Sequence, residues 1–178
     1  MEEGIKHEVE NLDSTSKKQL DKTIFKSSNA LTDKDLQQFC SKFKIPYKEI
    51  TLEQLVTGKV TPNQAFIFTG EKQDEYNKGT DHHWIYLYFQ HLFDSANFHR
   101  YNLGNLQVDY VTTTPKQLQE FGSVVCGQYA LAFAEFANKY GGDEEDLGQD
   151  FSEEFGFTSS KKENDEIVRK WYDDKMSS

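Results

Sequence analysis

The chain of 178 residues has few cysteines and no long apolar run, and each scarcity excludes a class of protein. Two cysteines cannot make a disulfide framework, so we expect a reducing, intracellular compartment. No stretch of 18 or more apolar residues is present, which argues against a membrane-spanning helix. The first residues, MEEGIKHEVENLDSTSKK, lack the apolar segment of a secretory signal, so we expect none.

Positive charge is also scarce. The chain has 30 acidic and 20 basic residues, and residues 141–178 alone hold 12 of the acidic residues against 5 basic ones. A protein that binds nucleic acid usually carries a basic face or stripe, and this sequence has none. We therefore expect no nucleic-acid partner.

Aromatic residues are abundant by contrast, at 14% of the chain, and they are sufficient for a compact core. We divide the chain into a flexible N-terminal arm (1–30), a core (31–140) and an acidic C-terminal segment with a terminal helix (141–178). Like charges between Asp143 and Glu154 repel one another, so we expect part of this stretch to be loosely held. We expect the segment after Gly142 to be dispensable for chemistry but to matter for docking, with its terminal helix packed on the core or on a partner. The alternative, that the segment is structural, requires that truncation after Tyr140 prevents folding.

Hydrophobic periodicity predicts an α+β fold. Apolar residues at helical spacing follow the potential N-cap Thr32, and residues 83–89 form the strongest strand, apolar on both faces and therefore central. The other predicted elements are helices at 52–56, 128–137 and 164–175 and strands at 65–68, 98–101 and 108–111.

The two cysteines differ in their surroundings. Cys40 falls on the apolar face of the first helix, where a free cysteine acts as a small hydrophobic residue. Cys126 lies where a loop leads into an Ala-rich and Phe-rich helix, and the positive end of a helix favours a thiolate. We therefore expect Cys126, and not Cys40, to be reactive.

A thiolate nucleophile needs an imidazole base and a group that orients the imidazole. His82 and His83 stand at the start of the central strand, and a tight reversal near residues 90–91 would bring Asp94 next to His83. A surface histidine pair and a turn-forming aspartate remain the structural alternative. A zinc site of Asp81, His82, His83 and Cys126 has no recognised ligand spacing, so we expect no metal and no other cofactor.

The order of these residues resembles that of the adenovirus-type cysteine endopeptidases, and more distantly that of the ubiquitin-like-protein proteases. The matching residues are His83-Trp84, Asp94-Ser95, Gln119 and Cys126-Gly127, with Gln119 seven residues before the cysteine. The resemblance covers about residues 31–140 and is greatest to the compact enzymes of virophages and related DNA elements. It implies an infected host cell, or a virion, as the setting of the protein. Those adenovirus enzymes are basic and use DNA as a cofactor, which we do not expect of an acidic chain.

The resemblance implies a papain-like fold of the adenovirus protease type, with a central antiparallel sheet packed against helices. It implies that Cys126 is the nucleophile, His83 its base and Asp94 the residue that holds the imidazole. Gln119 and the Cys126 backbone N–H would bind the oxyanion, and Trp84 would cover the substrate channel and restrict cleavage to sites after small residues. Such a preference is steric, because a larger side chain would clash with the indole.

Three functions follow from the sequence. The first is a viral endopeptidase that matures capsid or scaffold precursors, and the second is an isopeptidase that removes ubiquitin-like or SUMO-like proteins. Both have a polypeptide substrate and share one chemistry. The third is a non-catalytic interaction module that uses an aromatic groove.

Overall fold

The computed structural model describes residues 30–57, 63–69, 83–89, 91–96, 109–110, 117–120, 123–141 and 146–178. Within them the chain forms an α+β fold, as expected. Its elements, in chain order, are α1 (Asp33–Phe43), β1 (Glu49–Thr51), α2 (Leu52–Val56), β2 (Gln64–Phe68), β3 (Trp84–Tyr88), β4 (His91–Phe93), β5 (Asp109–Tyr110), α3 (Cys126–Tyr140), α4 (Leu147–Phe155) and α5 (Lys161–Ser177). The N-terminal arm and the strand expected at 98–101 lie outside the described residues.

The described strands form one sheet in the order β1-β2-β3-β4-β5. The expectation of an antiparallel sheet holds only for the middle strands, because β1 pairs parallel with β2 and β4 pairs parallel with β5. β3 is the central strand, as expected, and all five of its residues are buried. Its pairing with β4 sets Tyr88 opposite His91, so the tight reversal predicted between these strands is confirmed.

The two faces of the sheet bury different side chains, since neighbouring residues of a strand point to opposite faces. Trp84, Tyr86 and Tyr88 of β3 face α3, where the Tyr86 and Phe133 rings lie 6.2 Å apart. Ile85 and Leu87 face the other way and pack in a smaller aliphatic cluster that includes α2. The sheet is thus covered by helices on both faces, and α3 is packed on the larger core.

Helix α1 begins where the sequence indicates. The Thr32 hydroxyl accepts a hydrogen bond from the Asp35 N–H, and the Asp35 carboxylate accepts one from the Thr32 N–H. This reciprocal capping box satisfies two of the N–H groups that a helix start leaves unpaired. Cys40 lies on the buried face of the helix, and burial raises the pKa of its thiol to about 12. The prediction that Cys40 has a structural role and is not reactive is consistent with this environment.

The acidic C-terminal segment is part of the same core and not an appendage to it. Residues 147–155 form α4, which the charge of this stretch did not predict, and its Leu147 and Phe151 are fully buried. The Phe151 ring lies 5.3 Å from Phe93 and 5.4 Å from Phe133 and packs edge-on against both, so α4 contacts the sheet and α3 together. Residues 147–155 are therefore not the loosely held part of this stretch, because their charged side chains face outward and their apolar ones face the core.

Truncation after Tyr140 is expected to abolish cooperative folding. It removes Leu147, Phe151 and Val168 from the core, and burial of each stabilises the fold by roughly 1.5–3 kcal/mol. The total approaches the net stability of a typical domain, about 5–15 kcal/mol. Urea unfolding followed by circular dichroism checks this. A truncated protein that unfolds with the sigmoidal transition of the full chain would contradict it.

Candidate active site

The candidate nucleophile lies at the first residue of α3. Cys126 follows the N-cap Val125, which makes no side-chain cap, so the N-cap side chain leaves the first N–H groups of this helix uncovered. The Cys126 thiol is nearly buried, at 3% exposure, and its Sγ accepts a hydrogen bond of 3.3 Å from the Trp84 backbone N–H. The helix start and the first residue of β3 therefore meet at the sulfur.

Because Gly127 has no side chain, the start of α3 can lie close to Leu31. A Cβ at this position would lie 2.9 Å from Cβ of Leu31, closer than two such atoms can stand. Leu31 also accepts a hydrogen bond of 2.9 Å from the Trp84 indole through its carbonyl oxygen. The residue before the α1 cap is thus fixed against both the cysteine helix and the strand that follows His83.

His83 connects the thiol to a carboxylate. Its Nε2 lies 2.6 Å from Oδ1 of Asp94, and Cys126 lies close enough to the imidazole to raise the pKa of His83 through its charge and a hydrogen bond. Because Asp94 holds Nε2, the ring nitrogen left for the thiol is Nδ1. The same Asp94 oxygen accepts the Ala96 N–H at 3.0 Å, which fixes the carboxylate after β4.

The electrostatics of this group favour the charged imidazole. Burial by itself lowers the pKa of His83, but the charges of Asp94 and Cys126, with hydrogen bonds to both, raise it to about 10. An imidazolium beside a cysteine is an environment that favours the nucleophilic thiolate. The three side chains that the sequence indicates are therefore brought together in a chemically coherent arrangement.

Gln119 is fixed at the same end of α3. Its Oε1 accepts a hydrogen bond of 2.7 Å from the Ser95 hydroxyl, and its Nε2 donates to the Ser123 carbonyl oxygen at 2.9 Å. The Ser123 carbonyl oxygen determines which way round the amide lies, because it can only accept a hydrogen bond and therefore requires the N–H₂ group of Gln119. One N–H of the Gln119 amide remains beyond the bond to Ser123.

The sequence gives no signal for the hydrogen bonds that Ser95 and the Trp84 backbone make in the site. Ser95 binds the Gln119 side chain, and its carbonyl oxygen accepts the backbone N–H groups of Leu118 and Gln119 at 2.9 and 3.0 Å. These partners lie more than 20 residues away along the chain. The Trp84 N–H bond to sulfur is a backbone contact, which residue types do not reveal. In the sequence, Ser95 stands out only as the neighbour of Asp94.

The structure places the Trp84 side chain differently from the expectation. The indole is 1% exposed, its ring centre lies 4.9 Å from that of Phe68, and it belongs to the core under α3. The alternation of β3 explains this position, since Trp84 shares its face with Tyr86 and Tyr88. We therefore assign the indole a packing role and not a contact with substrate.

The described residues show no metal site. Within the described ranges, no three His, Cys, Asp or Glu side chains form a group able to hold a metal ion. Asp81 and His82, which the zinc alternative needs, lie outside those ranges. No helix of the described part is both long enough and apolar enough to cross a bilayer.

Comparison of the chain with protein-family models, with curated proteins and with solved structures finds no match. The adenovirus-type resemblance therefore depends on the motif residues alone, and the function must be argued from the geometry around Cys126.

Replacing Asp94 with asparagine is expected to move the alkaline limb of the pH–rate profile to lower pH. The carboxylate charge helps to keep His83 protonated up to a pH near 10, and a neutral amide removes that charge. The profile of kcat/KM across that alkaline range, with an NMR titration of the His83 ring, checks this. An unchanged limb, or one moved to higher pH, would contradict the assigned pairing.

Proposed function

We propose that the protein is a cysteine endopeptidase that hydrolyses peptide bonds after small residues. One observation carries the proposal: the Asp94 carboxylate holds His83 at 2.6 Å, and Cys126, at the start of a helix, lies close enough to raise the pKa of the same imidazole. An imidazole held between a carboxylate and a thiol is the arrangement that nucleophilic cysteine catalysis requires.

The reaction follows from these positions. The Cys126 thiolate attacks the peptide carbonyl carbon, and the carbonyl electron pair moves onto oxygen. One N–H of Gln119 and the Cys126 backbone N–H stabilise that oxyanion, each donor typically contributing about 3–4 kcal/mol. The proton on His83 passes to the leaving nitrogen as the C–N bond breaks, which leaves a thioester on sulfur. Water, deprotonated by His83, then hydrolyses the thioester and releases the acid.

The fold supports a papain-like arrangement of the adenovirus protease type. In that arrangement a helix carries the cysteine at its N-terminus and packs on a sheet that carries the histidine. Here α3 packs on β3 and β4 through Phe133, whose ring stacks on that of Phe93 at 4.5 Å. The parallel pairing of the edge strands β1 and β5 does not change this packing of α3 on β3 and β4.

The substrate class depends on the resemblance. Capsid or scaffold precursors cut in an infected cell are the first candidate, because Gln119 stands seven residues before Cys126 as in the viral enzymes. Ubiquitin-like tails are the other substrate of this chemistry. The preference for small residues depends on the resemblance alone, because the Trp84 indole lies in the core.

In the experiment, the protein is incubated with two sets of substrates. The first set is capsid-type precursors with Gly or Ala before the scissile bond, and the second is ubiquitin-like fusions. Matched precursors with Leu or Lys at that position are the controls. Cleavage after Gly or Ala in the precursors supports the endopeptidase. Processing of the fusions alone assigns an isopeptidase, and no cleavage of either set supports the non-catalytic module.

A further inference from the structure

Two neighbouring polar side chains of α5 are buried, although they belong to the acidic C-terminal segment. Asn164 is 0% exposed and Asp165 is 2% exposed. A buried amide or carboxylate is costly unless hydrogen bonds compensate it. Neither residue takes part in the reaction described above, so their contacts indicate what they do.

Asn164 joins α5 to the loop that carries Gln119. Its Nδ2 donates to the Leu118 carbonyl oxygen at 3.3 Å and to the Thr158 carbonyl oxygen at 2.9 Å. Its Oδ1 accepts the Thr158 N–H at 2.8 Å. Both ends of the amide are therefore engaged, with one contact on the residue just before Gln119.

Asp165 holds the other side of Gln119. Its Oδ1 accepts the Tyr129 hydroxyl at 2.8 Å, and the Glu120 backbone N–H points at both carboxylate oxygens from 3.4 Å. The Tyr129 hydroxyl lies 3.4 Å from the Leu118 carbonyl oxygen as well. Tyr129 belongs to α3, one turn after Cys126, so the contact connects α5, the cysteine helix and the loop.

The Gln119 backbone is thus held on two sides. Ser95 accepts the N–H groups of Leu118 and Gln119, and Asn164 and Asp165 bind the Leu118 carbonyl and the Glu120 N–H. We infer that Asn164 and Asp165 are positioning residues that hold residues 118–120 so that the Gln119 amide reaches the oxyanion. The inference rests on the proposed function. It makes the acidic C-terminal segment part of the active-site architecture.

The rates of two reactions, peptide hydrolysis and alkylation of Cys126, distinguish a positioning role from a merely structural one. Peptide hydrolysis passes through an oxyanion, so displacement of Gln119 slows it. Alkylation of Cys126 by iodoacetamide is a displacement at a saturated carbon and forms no oxyanion. A displaced loop therefore lowers kcat for hydrolysis and leaves the alkylation rate unchanged, whereas general loosening of the fold changes both.

The experiment uses Asp165→Asn in the full chain, with Asp174→Asn as the matched control. The Asp165→Asn substitution replaces one accepting oxygen by an N–H₂ donor, which cannot accept the Glu120 N–H or the Tyr129 hydroxyl. Asp174 lies on the same helix, but its side chain is exposed and pairs with the exposed Lys170. Tyr129→Phe, which removes the hydroxyl alone, is the second variant if Asp165→Asn does not fold.

We expect Asp165→Asn to lower kcat about tenfold, less than the roughly 10²–10³-fold that loss of an oxyanion donor costs. KM, the Cys126 alkylation rate and the Asp174→Asn variant should stay at wild-type values. In a Gln119→Ala background, Asp165→Asn should have little further effect, because the group it positions is gone. Equal losses with and without Gln119, or parallel falls in hydrolysis and alkylation, would overturn the inference.

Failure of the proposed function is separable from failure of this inference. If the wild-type protein hydrolyses no peptide, the proposed function fails, and amide hydrogen exchange then tests the contact directly. Faster exchange at Gln119 and Glu120 in Asp165→Asn, but not in Asp174→Asn, supports positioning of the loop. Unchanged exchange overturns it.

Discussion

Replacing Cys126 with alanine is expected to abolish peptide hydrolysis, with a loss of about six orders of magnitude in kcat. Removal of the nucleophile from a protease whose catalytic groups act as a unit typically costs that much. The residual rate would come from Gln119 and substrate binding alone. Hydrolysis of a peptide with glycine before the scissile bond, followed by mass spectrometry, measures the loss.

Cys40→Ala is the matched control for this variant. Cys40 is buried on α1, and burial raises the pKa of its thiol to about 12, so it holds its proton at neutral pH. We expect Cys40→Ala to keep wild-type kcat and to lose only some stability from the small cavity. Loss of hydrolysis in Cys40→Ala, with activity retained in Cys126→Ala, would reverse the assignment.

Replacing His83 with alanine is expected to lower kcat by roughly four orders of magnitude or more, because catalytic groups that act as a unit fail together. The imidazole is the proton donor to the leaving nitrogen and the base for water, and it contacts both Cys126 and Asp94. The variant also leaves Asp94 buried without its ring partner, so its folding is checked first by circular dichroism. Single-turnover kinetics then measure the acylation step.

Substitutions of two other histidines, His82 and His91, are the controls for His83→Ala. His82→Ala should retain most of the activity, because His83 is the histidine that pairs with Asp94 and interacts with Cys126. His91→Ala should do the same, because His91 lies at the start of β4, opposite Tyr88 at the far end of the hairpin. If His82→Ala is the inactive variant and His83→Ala is not, the roles of the pair are exchanged.

Local signals predicted the parts of the site that are close in sequence. Thr32 caps α1, the doubly apolar run 83–89 is central, and the tight hairpin brings Asp94 to His83. Each depends on a few neighbouring residues, through capping, alternation or turn length. The start of a helix near Cys126 was likewise predictable from neighbouring residues.

Contacts between distant residues were not predictable in this way. The Ser95–Gln119 bond joins residues 24 apart, and the Asp165–Glu120 contact joins residues 45 apart. Whether the edge strands pair in parallel depends on the path of the chain between the strands. The composition of the strands does not reveal that path. Helix α4 was missed because the charge of its surroundings concealed Leu147 and Phe151, which share one buried face.

Covalent trapping tests the central claim, that Cys126 is a nucleophile activated by His83, most directly. The wild-type protein is incubated at neutral pH with a short peptide in which the bond after glycine carries an electrophile in place of the leaving amide, and the adduct is located by peptide mapping. We predict one adduct, on Cys126, that is greatly slowed in His83→Ala and unaffected by Cys40→Ala. An adduct on Cys40, or equal rates of trapping at Cys126 with and without His83, would contradict the account.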